Sequence, residues 1–188
     1  MNRSAVAVGL LLALAFAGSL ARAADIDPAA SKIGFLLTTR WGQTLQGRFP
    51  DANGIVEQLP DGRHQVRLRL STRSLEIVGH SSYTRMARGH GFFDADTYPL
   101  VEFVSEPYAP ELLRHGGSMP GTLSIRNVHR REVFTIEPAA CDVPARGCDV
   151  IGTGSIHRGD YGLGRWSLAF ADKVRFLLRV RVRGDAGA

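Results

Sequence analysis

The strongest constraint on the fold is an alternation near the C-terminus. Val174, Phe176, Leu178, Val180 and Val182 share one parity, opposed by Arg175, Arg179, Arg181 and Arg183. Successive strand side chains point to opposite faces, so this period of two gathers the apolar groups on one surface and sends the guanidinium groups to the other. A helix would scatter the same residues around its axis. The run therefore specifies a strand with one buried face, and such a strand needs partners.

Partners are readable upstream. Ile33, Phe35 and Leu37 alternate across one face, and Val66, Leu68 and Leu70 alternate with Arg67 and Arg69. Shorter candidates are Val56 to Gln58, Leu75 to Val78, Leu100 to Phe103, Gly121 to Ile125, Val133 to Ile136 and Trp166 to Phe170. Turn-forming residues at Asp61-Gly62, Gly89 to Gly91, Gly116-Gly117 and Gly159-Asp160 separate them, which favours a meandering antiparallel sheet over repeated strand-helix-strand units. Such a sheet either closes as a barrel, removing its edges, or folds as a two-layer sandwich. Two short helical insertions are expected, one from Ser81 or Ser82 to Arg88 and one over Pro110, Glu111, Leu112 and Leu113, each placed to cover a sheet edge or a barrel mouth.

The N-terminus sets the compartment. Arg3 precedes an uncharged 13-residue stretch, Ala5 to Ala17, and Ala21 and Ala23 flank Arg22 in an Ala-X-Ala cleavage pattern. The stretch is shorter than the roughly 20 residues of a membrane span, so residues 1–23 read as a cleavable secretion signal and residues 24–188 as one domain. Cleavage leaves 21 basic against 18 acidic residues, a charge of +3 that gives no reason to expect a nucleic-acid partner. The basic residues are 21 arginines and 2 lysines in the full chain, and many alternate with apolar residues, as on the wet face of a sheet. In an exported chain, Cys141 and Cys148 with Pro144 and Gly147 between them read as a local structural disulfide. Cys-X-X-Cys redox spacing and a second pair of zinc ligands are both missing from the sequence.

Several separated motifs together resemble one family. Ile26-Asp27-Pro28-Ala29-Ala30-Ser31 followed by Ile33-Gly34-Phe35 is similar to its first strand, and Trp41, Gly47, Arg48 and Phe49 to the segment after it. The likeness continues through Leu75-Glu76-Ile77, and Phe92-Phe93-Asp94-Ala95-Asp96-Thr97-Tyr98-Pro99 leading into Val101-Glu102-Phe103 is its most specific part. Gly121-Thr122-Leu123-Ser124-Ile125, Arg158-Gly159-Asp160-Tyr161-Gly162-Leu163 and Val174-Arg175-Phe176 complete it. In this order they resemble the YceI-like family of bacterial periplasmic lipid-binding proteins over nearly all of residues 25–184. The resemblance implies a mainly β fold, an extended lipocalin-like antiparallel β-barrel with short helical insertions. It also implies an elongated apolar ligand: a polyisoprenoid, an isoprenoid quinone or a related fatty-acyl lipid. Asn127-Val128-His129-Arg130-Arg131 and the Cys141 to Cys148 insertion depart from the family pattern, which makes ligand choice less transferable than fold.

The expected ligand-binding residues are Phe35, Trp41, Phe49, Phe92, Phe93, Phe103, Phe134, Trp166 and Phe176. For those in strands, wall packing and ligand contact compete; Trp41 and Phe49 lie near a turn, where side chains gate an entrance. Phe92 and Phe93 are expected on opposite faces if their segment is extended. Arg85 and Arg88, and separately Arg126, Arg130 and Arg131, are candidate contacts for an anionic head group, with His129 able to titrate nearby.

Signals for catalysis are weak. The histidines at 64, 80, 90, 115, 129 and 157 form no metal motif, and no nucleophile elbow or phosphate loop is present. Asp94, Asp96 and Asp160 stand where aspartates cap turns. The expectation is a non-enzyme with no required cofactor and no metal, binding or carrying an amphiphilic lipid in the periplasm and making transient contacts with the membrane or an envelope protein. The alternative is a structural or regulatory envelope protein that acts through a protein partner.

Overall fold

The computed structural model describes residues 23–184. The expected signal therefore lies, apart from Ala23, outside the described residues. The elements are β1 (Ala23–Asp25), β2 (Lys32–Thr39), β3 (Thr44–Arg48), β4 (Ala52–Gln58), β5 (His64–Ser71), β6 (Glu76–Ile77), α1 (Ser81–Arg88), β7 (Leu100–Ser105), α2 (Glu111–His115), β8 (Gly117–Ile125), β9 (Val128–Ile136), β10 (Val150–His157) and β11 (Phe170–Val180). Two 3-10 turns, Arg158–Tyr161 and Gly164–Trp166, lie between β10 and β11.

All eleven strands form one antiparallel sheet in the order β1-β4-β5-β7-β8-β9-β10-β11-β2-β3-β6. The sheet curls around an apolar interior. Its β1 edge is drawn onto β11 at one side, because β1 pairs with β4 while Ile26, just beyond β1, bridges Val182 beyond β11. Ile26 N–H also donates to Gly54 O at 2.8 Å. This is the mainly β, lipocalin-like architecture expected, with α1 and α2 as its short helices.

The alternation near the C-terminus holds in three dimensions. Phe170, Val174 and Phe176 are buried, and Leu178 and Val180 pack partly buried against the same core. Each turn has its own local cause. Arg126 and Asn127 both take positive φ, 50° and 62°, the signature of a two-residue type I′ hairpin joining β8 to β9. Asp94, at φ 49°, accepts the N–H groups of Thr97 and Tyr98 through its backbone carbonyl at 3.0 and 2.8 Å.

Two expectations are corrected. Trp166 to Phe170 is not a strand: Trp166 ends a 3-10 turn, Ala169 N–H donates to Trp166 O at 3.0 Å, and only Phe170 enters β11. Phe92 and Phe93 lie in a turn, where residues need not alternate, and both are buried. Phe92 packs on Phe170 with ring centroids 5.7 Å apart, and Phe93 on Phe49 at 6.1 Å.

Cys141 and Cys148 form the expected disulfide, with Cα atoms 6.0 Å apart in the loop between β9 and β10.

Candidate functional site

The inward row of β11 runs along the long axis of the curled sheet. At 3.3 Å per residue, Phe170 to Val182 covers roughly 40 Å. Phe170 and Val174 line a first cavity of about 40 Å³, and Leu178, Val180 and Val182 line a second of about 90 Å³. Phe176 lines both. Its ring contacts Phe35 on one side and Phe134 on the other, each at 6.2 Å, and so forms a septum between the two spaces.

Neighbouring rings are held by glycines. A Cβ on Gly47 would collide with the Phe35 ring; one on Gly121 would lie 2.5 Å from Phe103, and one on Gly154 2.7 Å from Phe134. In each case the ring fills the space a side chain would occupy on the inner surface. Phe176 stands directly opposite Gly154 in the β10–β11 register, beside the Phe134 ring that Gly154 seats.

Polar groups in the two cavities are few. Tyr108 is the one hydroxyl-bearing residue around the second; burial pushes its phenol up to about 12, so it remains a neutral O–H. The first holds Tyr83 and Arg158. Arg158 is 2% exposed, and its guanidinium donates from Nε to Ala171 O at 3.0 Å, from Nη1 to Leu163 O at 2.7 Å and from Nη2 to Phe170 O at 3.3 Å. It also lies 5.6 Å from the Phe92 ring centroid. Desolvation lowers its pKa, and the nearby Asp172 carboxylate opposes that shift. The Phe170 and Ala171 carbonyls lie at a register irregularity in β11 between Phe170 and Val174, where Asp172 Oδ1 also accepts Gly159 N–H at 2.8 Å.

The structure sorts the residues expected from sequence. Phe35, Phe92 and Phe93 line the first cavity, Phe103 and Phe134 the second, and Phe176 both. Phe49 is buried behind Phe35 and Phe93 without lining either. Trp41, 79% exposed, and Trp166, 41% exposed, face solvent and line neither.

The expected head-group arginines line neither cavity. Arg85 is exposed, and Arg88 donates to Leu75 O at 2.7 Å. Arg126 donates to Gly162 O at 3.1 Å, Arg130 to Asp160 O at 3.0 Å, and Arg131 pairs with Glu106 at 2.7 Å. His129 is bonded to the Ser124 hydroxyl at 2.6 Å. The two groups do not converge. Arg158, which in the sequence stands out only as part of the family-like segment Arg158 to Leu163, is the arginine that reaches the interior. Among the described residues, no cluster of side chains is suited to hold a metal ion.

A curled antiparallel sheet with an almost wholly apolar inner face and two cavities along its axis defines a lipocalin-like protein. The YceI-like domain model matches residues 25–182, and the chain belongs to that family. Its fold is similar to Burkholderia cenocepacia BcnA, with a TM-score of 0.69 and 22% identity over 85% of this chain and 99% of that one. A polyisoprenoid binding domain from Saccharophagus degradans, implicated in plant cell wall breakdown, matches with a TM-score of 0.60 and 15% identity over 85% and 98%. The Campylobacter jejuni YCEI protein matches with 0.56 and 19% over 74% and 85%. No curated protein sequence matches the chain significantly.

Proposed function

We propose that the chain is a non-catalytic binder or carrier of an isoprenoid-like amphiphilic lipid, a polyprenyl lipid or a quinone, exported to the bacterial periplasm. The observation that carries this reading is the axial row of apolar cavities along β11, interrupted by the single septum Phe176. A linear apolar chain is the ligand shape that such a row accepts. Each Å² of its surface removed from water contributes roughly 25 cal/mol before ordering costs. Family membership and the polyisoprenoid binding neighbour support the ligand class; the disulfide supports an oxidising compartment.

The volumes of about 40 and 90 Å³ describe a collapsed interior. Ligand pockets are typically about 300–1,000 Å³, so binding a long chain requires the lining side chains to move apart. Phe176 is the side chain whose displacement joins the two spaces. Of the three carboxylates Asp94, Asp96 and Asp160, Asp94 contacts His90 at 3.1 Å and Asp160 lies 3.4 Å from Arg130.

Native mass spectrometry of gently purified protein, followed by denaturing lipid analysis, tests the proposal. The expected result is a near-stoichiometric isoprenoid adduct. No adduct, and no binding of polyprenyl lipids, quinones or fatty-acyl compounds after delipidation, would move the function to a protein partner.

A further inference from the structure

Three large apolar side chains stand in solvent at one end of the molecule. Trp41 is 79% exposed, Leu168 92% and Trp166 41%. They belong to two loops that form one surface: Arg40 N–H donates to Ala169 O at 2.9 Å, and Arg40 Nε to Ser167 O at 3.0 Å. The indole nitrogen of Trp166 sits over Gly91, where a Cβ would lie 2.9 Å away. The next inward residue, Phe170, packs on Tyr83 and Phe92 in the wall of the first cavity. The patch therefore caps the first-cavity end of the long axis.

Charge around the patch is one-sided. Arg40 and Arg165 are exposed, and neither forms an ion pair among the described residues. The neighbouring acids are engaged elsewhere, Asp160 beside Arg130 and Asp172 with His157 at 2.9 Å and Gly159 N–H. Indole rings favour the boundary between lipid head groups and acyl chains, and exposed guanidinium groups beside them bind lipid phosphates. Clustered exposed apolar groups mark an interaction surface.

We propose that this end docks on an anionic phospholipid bilayer, with Trp41, Trp166 and Leu168 entering the interface and Arg40 and Arg165 on the phosphates. Docking in this pose turns the first cavity toward the membrane. The docking itself is independent of which lipid the interior accepts; its use as a loading end rests on the proposed carrier role.

Trp41 and Trp166 are the chain's two tryptophans, so intrinsic emission reports the patch directly. The exported, delipidated protein is titrated with phosphatidylcholine vesicles with and without phosphatidylglycerol, and co-sedimentation is measured in parallel. Mixed vesicles are expected to shift emission to the blue and to sediment the protein, with affinity falling as salt rises. Leu168→Asp and Trp41→Ser are expected to weaken vesicle binding about tenfold or more, with melting temperature and detergent-presented lipid binding unchanged. Val143→Asp, exposed in the disulfide loop, serves as the control and is expected to bind like the parent. Unshifted emission, parent-like binding by Leu168→Asp, an equal loss in Val143→Asp, or equal binding to neutral vesicles would each overturn the proposal. A protein that docks but takes up no lipid would leave this proposal standing and remove the carrier role.

Discussion

At the scale of single residues, two positions join the sequence motifs to the interior. Phe35 in β2 lies opposite Gly47 in β3, so two motifs about a dozen residues apart are one packing unit. Any side chain at 47 must displace the Phe35 ring. Gly47→Ala is therefore expected to destabilise by about 2 kcal/mol through overpacking, measured by urea denaturation. Arg158 is the second. Replacing it with methionine preserves apolar bulk but leaves the carbonyls of Leu163, Phe170 and Ala171 without their donor. The expected loss is about 3 kcal/mol, and lysine is not expected to restore it because one ammonium group cannot reproduce a planar three-way fork. Full stability in Arg158→Lys would show that the charge matters rather than the fork. The alternation of β11 was legible from the order of its residues, whereas the burial of Arg158 was not. Its partners lie 5, 12 and 13 residues away, Leu163 in the loop before β11 and Phe170 and Ala171 at the irregular register of β11.

At the scale of elements, β11 is the spine of the site. Its central inward ring is Phe176, which lies between Phe35 and Phe134 and opposite Gly154 of β10. Phe176→Ala removes the septum and is expected to cost about 3 kcal/mol in the ligand-free protein. It is also expected to shift bound lipids toward longer chains, read by lipid mass spectrometry of parent and variant purified side by side. An unchanged length distribution would show that the septum does not set ligand length. Strand identity was largely readable, and α1 falls on the expected Ser81 to Arg88. The segment 166–170 was misread because its apolar residues suit a strand, while its backbone bonds close local turns.

At the scale of the whole molecule, the end opposite the exposed tryptophans is closed by three distant segments. Ile26 bridges Val182, Val182 N–H donates to Ala145 O at 2.9 Å, and Ile26, Ala145 and Val182 all line the second cavity. Ala145 takes a left-handed φ of 66° inside the loop closed by Cys141 and Cys148. For a loop this short the chain-entropy contribution of the disulfide is about 2.5 kcal/mol. Cys141→Ser with Cys148→Ser is expected to lose up to that amount. Amide exchange should accelerate at residues 141–148 and 180–183 while the α1 end stays protected. Uniform acceleration would mean that the disulfide supports the entire sheet rather than this closure.

The sequence by itself determined eight of the eleven strands, all but β1, β3 and β10, together with the disulfide and the aromatic inventory, because period-two burial and turn chemistry are local properties written in neighbouring residues. It also marked Phe35, Phe103, Phe134 and Phe176 as inward-facing. Tertiary structure alone decided that Trp41 and Trp166 face water, that Phe176 divides two cavities, and that Arg158 rather than the five expected arginines reaches the interior. Those outcomes depend on which strands pair and in what register. Pairing joins residues far apart in the chain, and a shift of one residue would turn each side chain to the other face.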